Sequence, residues 1–169
     1  KGELGVGELI AIVSGKGGTG KTSLCAGIAQ ALAQSGEEIL CIDCDVGLRN
    51  LDISLGLSDS GALSFRDVCS GGYPLDRAER HPDYEGLSFL TAPMNTAADE
   101  IDPKLFEKML DRARSEFDYI FLDAPAGVDA GFRLVTAGAD RFVVVTGAGP
   151  AAIRDACRVG ELLELAGKQ

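Results

Sequence analysis

One segment of this chain has residue types and spacing suited to chemistry on phosphate: Gly15-Lys16-Gly17-Gly18-Thr19-Gly20-Lys21-Thr22-Ser23. It contains G-x-x-x-x-G-K-T between an apolar run at residues 9–13 and a helix-patterned stretch at 21–34, the context that a phosphate-binding loop requires. Glycines let the backbone curl so that successive N–H groups face phosphate oxygens, and the following helix N-terminus adds partial positive charge. Lys21 would meet the outer phosphates of a nucleotide, and the Thr22 hydroxyl would take a Mg²⁺ position. Lys16 is a second lysine that a plain phosphate loop does not need. Spacing alone leaves two readings for it: a solvated side chain, or a charge that stabilises a transferring phosphoryl group.

Carboxylates follow two other apolar runs. Asp43 and Asp45 come after residues 39–42; if that strand persists, period-two alternation points both to the same side. In an open parallel sheet the carboxyl ends of the strands form the ligand crevice. Two acids there suit Mg²⁺ ligation and orientation of an attacking water, and helix capping or simple solvation is the alternative. Asp123 closes the apolar run 119–122 and is followed by Ala124-Pro125-Ala126-Gly127. An acid there matches the Walker B arrangement, with capping again the alternative, and Pro125 and Gly127 would shape a loop able to sense the terminal phosphate. His81, the only histidine, lies in a polar, proline-containing stretch at 71–86 that reads as a surface excursion.

These groups need a scaffold that brings strand ends together. Short apolar runs at 9–13, 39–42, 87–90, 119–122 and 142–145 alternate with helical patterns at 21–34, 103–115, 131–137 and 151–166. Such alternation predicts βαβ units and a mainly parallel sheet with helices on both faces, an α/β P-loop NTPase of three layers in one domain over 1–169. Asp102 and Pro103 form a helix start, as N-cap and first-turn proline.

With 169 residues and 46% hydrophobic content the chain can bury a real core. Its net charge of −10 disfavours nucleic acid as a partner, because the summed field repels a polyanion. The five cysteines lack regular spacing and suit reduced thiols of a cytosolic protein. Cys41 and Cys44 are spaced like a metal knuckle but without a second pair, so they read as small apolar strand residues.

The loop at 15–22, the run Asp43-Cys44-Asp45-Val46-Gly47-Leu48-Arg49-Asn50-Leu51-Asp52 and the segment at 123–127 together resemble the signatures of the MinD/ParA family of deviant Walker A ATPases. The similarity extends over about residues 8–155, and the run 47–52 points to the branch that places the division site. The resemblance implies ATP and Mg²⁺ as cofactors, ATP hydrolysis, and an ATP-dependent face-to-face homodimer that serves as a switch. By the same resemblance Gly15 to Ser23 is the nucleotide-binding loop, with Gly20, Lys21, Thr22 and Ser23 holding phosphates and Mg²⁺. Lys16 acts in trans on the partner's nucleotide, Asp45 positions the water, Asp43 supports Mg²⁺, and Asp123 is the Walker B acid that holds Mg²⁺ through water. Asp155 matches an acid near the dimer face that pairs with the signature lysine. A division-inhibitor protein and an ATPase-stimulating protein are the implied partners. The implied location is cytoplasmic, peripheral at the inner face of the cell membrane through a C-terminal amphipathic helix.

Two features depart from the pattern. Thr146-Gly147-Ala148-Gly149 stands where the family usually carries T-N-P-E, and the chain stops at Gln169 without the family's last strands, adenine-binding loop or membrane helix. The chain is therefore expected to be a C-terminally truncated piece of a longer protein. The competing functions are ParA-type partition, flagellar-number control, or a nucleotide-binding scaffold with negligible turnover. An iron-protein redox role is excluded, because residues 124–132 contain no cysteine to hold a cluster.

Overall fold

Strand β1, Glu8–Ser14, is apolar along most of its length because it is covered on both sides. Leu9, Ala11 and Val13 join one core cluster and Ile12 the other, the alternation that pleating imposes. The computed structural model describes residues 6–46, 48–57 and 61–168; Gly47, at the head of the run 47–52, lies outside them.

After β1 come α1 (Lys21–Gln34), β2 (Ile39–Asp43), α2 (Leu51–Leu55) and α3 (Phe65–Cys69). Then follow β3 (Glu79–Arg80), β4 (Leu87–Leu90), α4 (Pro103–Ala113), β5 (Tyr119–Ala126), α5 (Ala130–Gly138), β6 (Arg141–Val144) and α6 (Pro150–Leu165). The strands order as β3-β4-β2-β5-β1-β6, all parallel except β3 against β4. The predicted three-layer α/β/α architecture is therefore present. Leu40, Ile42, Ile120 and Leu122 face the helices α3 to α6, with Phe65, Phe106, Leu110, Val135 and Val159 among their partners. Ile39, Cys41 and Phe121 face α1 and α2 on the other side. Cys25, Ala26, Ala29 and Ala33 are the buried apolar residues of α1; side chains this short let the helix lie close to the sheet.

Local signals end the elements where chemistry predicts. Gly36, at φ +93°, turns the chain out of α1, with its N–H on the Ala33 carbonyl. Asp102 caps α4 by accepting from the Lys104 N–H at 2.9 Å, and Pro103 fills the first turn.

Three expectations need correction. The stretch 71–86 is not a plain surface excursion: Leu75 is fully buried and Glu79–Arg80 adds an antiparallel edge strand to β4. A two-residue strand is too short to leave a periodic signal. His81 is buried rather than exposed, with 8% of its surface accessible. Its Nε2 lies 2.8 Å from the Leu55 carbonyl oxygen and its Nδ1 accepts from the Asp83 N–H at 3.1 Å, which assigns the neutral tautomer with the proton on Nε2. Finally, β5 does not stop before Asp123. It runs on to Ala126 through β1 alone: pairing with β2 ends at Asp43↔Asp123, and pairing with β1 resumes at Ser14↔Ala126 after a slip in register. Pro125 is tolerated at such an irregularity.

His81→Leu removes both polar partners while keeping the volume apolar. Leaving the Leu55 carbonyl and the Asp83 N–H unpaired is expected to cost about 1–3 kcal/mol, read as a lower urea midpoint at unchanged slope.

Candidate nucleotide site

The loop from Gly15 to Gly20 joins β1 to α1 at the carboxyl end of the sheet. Gly18 and Gly20 have φ of +75° and +87°, conformations that side-chain-bearing residues adopt only with strain. A Cβ placed on Gly17, Gly18 or Gly20 would meet nothing within 4 Å, so the glycines line open space. Gly15 differs: its Cβ would lie 2.6 Å from the Asp155 Cβ and 2.7 Å from the Asp155 carbonyl oxygen. Helix α6 thus approaches the loop closely enough to require glycine, and Asp155 sits half-buried against it. The Ser14 hydroxyl donates to the Lys16 carbonyl at 2.9 Å, and the Gly127 N–H donates to the Ser14 carbonyl at 3.0 Å. Gly127, at φ +87°, therefore ties the end of β5 to the start of the loop.

The loop opens onto a cavity of about 410 Å³ lined by Lys16, Thr19, Lys21, Thr22, Asp45 and Asn50, among others. Gly17, Gly18, Gly20 and Ser23 also line it. Lys21, the first residue of α1, points inward: its Nζ lies 2.8 Å from Asp123 Oδ1, with both side chains buried. Lys16 is exposed and makes no ion pair among the described residues. The Thr19 hydroxyl is buried without a hydrogen-bond partner. An open glycine cradle with an orphaned hydroxyl and a buried ammonium fits a polyphosphate, whose oxygens accept from all three. Thr22 and Asp45 on the same wall are the hard oxygen donors that Mg²⁺ takes together with phosphate oxygens.

The strand does not persist to Asp45, so the alternation that would point Asp43 and Asp45 to one side does not apply to the pair. The strand ends at Asp43, and the Asp43 carboxylate turns back along the chain. Its Oδ1 accepts from the Asp45 N–H at 3.0 Å, and its Oδ2 accepts from the N–H groups of Asn50 and Leu51 at 3.2 Å each. Asp43 is buried and does not line the cavity, whereas half-buried Asp45 does. Burial pushes the Asp43 carboxyl up to about 6, opposed by those N–H groups and assisted by the nearby Asp123 charge. Burial also raises Asp45, partly offset by the Lys21 ammonium. Pro125 packs on α5, where a Cβ on Gly131 would lie 2.5 Å from its Cγ. Asp123, Pro125, Gly127 and Asp155 do not line the cavity.

Leu48, Asn50 and Ala126 line the cavity without having been assigned a role from the sequence. Leu48 and Asn50 lie in the run 43–52 that carried the resemblance, which was the available signal. Cys41 and Cys44 belong to the core clusters on opposite faces of the sheet, which separates them as metal ligands.

A strand, a glycine loop and a helix around a buried lysine define a nucleotide-binding protein of the P-loop α/β class. The family described as the CobQ/CobB/MinD/ParA nucleotide binding domain matches residues 10–169, and this chain belongs to it. The chain is 39% identical over 161 residues to the septum site-determining protein MinD of Synechocystis sp., covering 93% of this chain and 59% of that protein. It superposes with TM-score 0.86 and 38% identity on a structure of the MinC:MinD cell division complex of Aquifex aeolicus, covering 96% of this chain and 65% of that one. For the MinD of Pyrococcus horikoshii complexed with Mg-ADP the TM-score is 0.83 at 29% identity, covering 95% of this chain and 66% of that one. The chain thus spans about three fifths of the length of the curated relatives it matches.

The raised Asp43 carboxyl has a measurable sign. Its folded value, about 6, exceeds the ordinary aspartate value of 3.8, so between those values the folded state binds the extra proton and stability rises as pH falls. From pH 7 to pH 5 the wild type is expected to gain about 1 kcal/mol relative to Asp43→Asn, as measured by urea unfolding of both proteins at each pH.

Proposed function

We propose that this chain is the nucleotide-binding core of a MinD-like, Mg²⁺-dependent ATPase whose ATP-driven homodimerisation acts as a switch in division-site placement. The observation that carries this reading is the pair of lysines in one loop. Lys21 is buried and already paired with Asp123, while Lys16 stands exposed at the cavity mouth without a carboxylate partner among the described residues. The buried position of Lys21 supports its holding a nucleotide within its own chain. The other lysine is free to reach a second one.

In this reading the backbone of Gly15 to Gly20, with Thr19, Lys21, Thr22 and Ser23, binds and orients the phosphates of ATP. Mg²⁺, held by the Thr22 hydroxyl together with phosphate oxygens, would neutralise charge developing on the transferring phosphoryl group. Asp45 orients the attacking water from the cavity wall. Asp43 supports the Mg²⁺ site from behind, by holding the backbone that carries Asp45. Asp123 serves as the Walker B acid through its hold on Lys21, while Pro125 and Gly127 carry any change at β5 to the loop. Across the dimer, Lys16 stabilises the partner's phosphoryl transfer, with Asp155 beside the loop as its countercharge.

The MinC:MinD structure of Aquifex aeolicus supports a division-inhibitor protein as one partner, and the family resemblance supports an ATPase-stimulating protein as another. Among the described residues no helix is long and apolar enough to cross a membrane. We assign the parent protein to the cytoplasm, peripheral at the inner face of the membrane. A second reading, a nucleotide-binding scaffold, is favoured by the side-chain-poor loop Thr146–Gly149.

Lys16→Ala is expected to bind a fluorescent ATP analogue nearly as tightly as the wild type but to release phosphate roughly 10²–10³-fold more slowly. Normal turnover in Lys16→Ala would remove the trans role. Nucleotide binding without phosphate release by the unmutated chain would favour the scaffold.

A further inference from the structure

A second concave surface lies away from the nucleotide cavity and shares no lining residue with it. Between α3, the turn that follows it and α4 runs a groove of about 520 Å³. Its floor is core material, Val68, Leu75 and Met109, all buried in the cluster beneath that face of the sheet. Its rim exposes two large apolar side chains, Tyr73 at 51% and Leu105 at 42%. Exposed apolar surface beside a cavity, rather than scattered singly, marks an interaction site.

The charges sort just as clearly. Lys108 and Arg112 line the groove and no carboxylate does, in a chain with 26 acids against 16 bases. On α4 itself, Glu107 and Asp111 do not line it. Arg112 is partly committed, with Nε 2.9 Å from Glu116 Oε1, but Lys108 is exposed and makes no ion pair among the described residues. By contrast, the cavity beside His81 is lined by three carboxylates, Glu38, Asp83 and Glu85, against one guanidinium, Arg80. The groove by α4 is therefore a locally cationic surface on an acidic protein.

Leu105, Lys108, Met109 and Arg112 follow the spacing i, i+3, i+4, i+7, so the groove runs along one face of α4 for about 10 Å. That length suits two turns of a docked helix or three residues of an extended strand. Cys69 contributes an apolar wall, its Sγ 3.5 Å from Met109 Sδ.

We propose that this groove docks a peptide segment of a partner protein that carries an apolar anchor side chain flanked by carboxylates. The anchor enters between Tyr73 and Leu105 onto Met109, and the carboxylates meet Lys108 and the free guanidinium nitrogens of Arg112. The proposal does not depend on the nucleotide reading, since neither the loop nor Asp45 takes part.

The test is selection of a displayed library of random peptides on the immobilised chain, followed by titration of the enriched sequences as free labelled peptides. Enrichment of sequences pairing Leu, Phe or Trp with Asp or Glu is the expected result. Binding should weaken about tenfold or more in Lys108→Glu and with rising salt. The same reversal at Lys104, exposed on α4 but outside the groove, should change it less than about twofold. Thermal melts of both variants confirm the fold, since both side chains are exposed. Enrichment of sequences without acids, indifference to Lys108→Glu, or no enrichment at all would overturn the proposal. So would binding to phosphatidylglycerol vesicles that Lys108→Glu abolishes, which would assign the surface to lipid instead.

Discussion

The ion pair between Lys21 and Asp123 sits where the three parts of the site meet. Asp123 lies on β5 in the middle of the sheet, in register with Ile12 of β1 and Asp43 of β2. Lys21 is the first residue of the helix that follows the glycine loop. Their contact fixes the loop's far end against the sheet. Removing one member of a buried pair costs roughly 3–5 kcal/mol, because the other is left desolvated and alone. The arrangement is thus a loaded one, in which the cation is held in place before any phosphate arrives.

That pair also sets the electrostatics of its neighbours. Asp43, Asp45 and Asp123 gather around a single buried ammonium, an excess of negative charge in a low-dielectric region. The consequence is visible in the carboxyls of Asp43 and Asp45, both pushed upward by burial and by the Asp123 charge. Two devices limit the cost. Asp43 takes three backbone N–H donors, and Asp45 stays half-exposed at the cavity. A site this acidic accepts a polyanion only with added positive charge, which the N-terminus of α1 provides in part and a divalent cation can complete.

The centre of the fold was legible in the sequence and the periphery was not, for reasons that differ by element. The runs at 9–13 and 39–42 are continuously apolar because both faces of a parallel sheet are covered, and the loop motif ties the first of them to α1. Elements with one short or polar side left weaker traces. Glu79–Arg80 is too brief for periodicity, so the burial of His81 behind it could not be read from composition. At β5, Pro125 and Gly127 suggested an ending, yet pairing with β1 carried the strand three residues past Asp123, to Ala126. At β2 the reverse held: alternation across Asp43 and Asp45 presupposed a strand that stops at Asp43. The loop glycines and Lys21 fall together on one cavity because a motif specifies relative positions. Asn50 and Leu48 also line the cavity, and the only signal for them was the run 43–52 as a whole, not the type or spacing of either residue.

The reversal between β2 and α2 shows how a short segment can be held without a core of its own. A helix of five residues has no stability in isolation, and α2 is fixed from both ends. Asp43 accepts from Leu51, the first residue of α2, and His81 holds the carbonyl of Leu55, the last. Leu51 and Leu55 anchor it to the face beneath α1, leaving Ile53 at 62% and Leu48 at 61% exposed on the outer side. Ahead of α2, Asp45 and Leu48 line the cavity beside the glycine loop, and the Asp45 N–H is held by Asp43. The carboxylate that does not touch the cavity thereby decides where the one that does can stand.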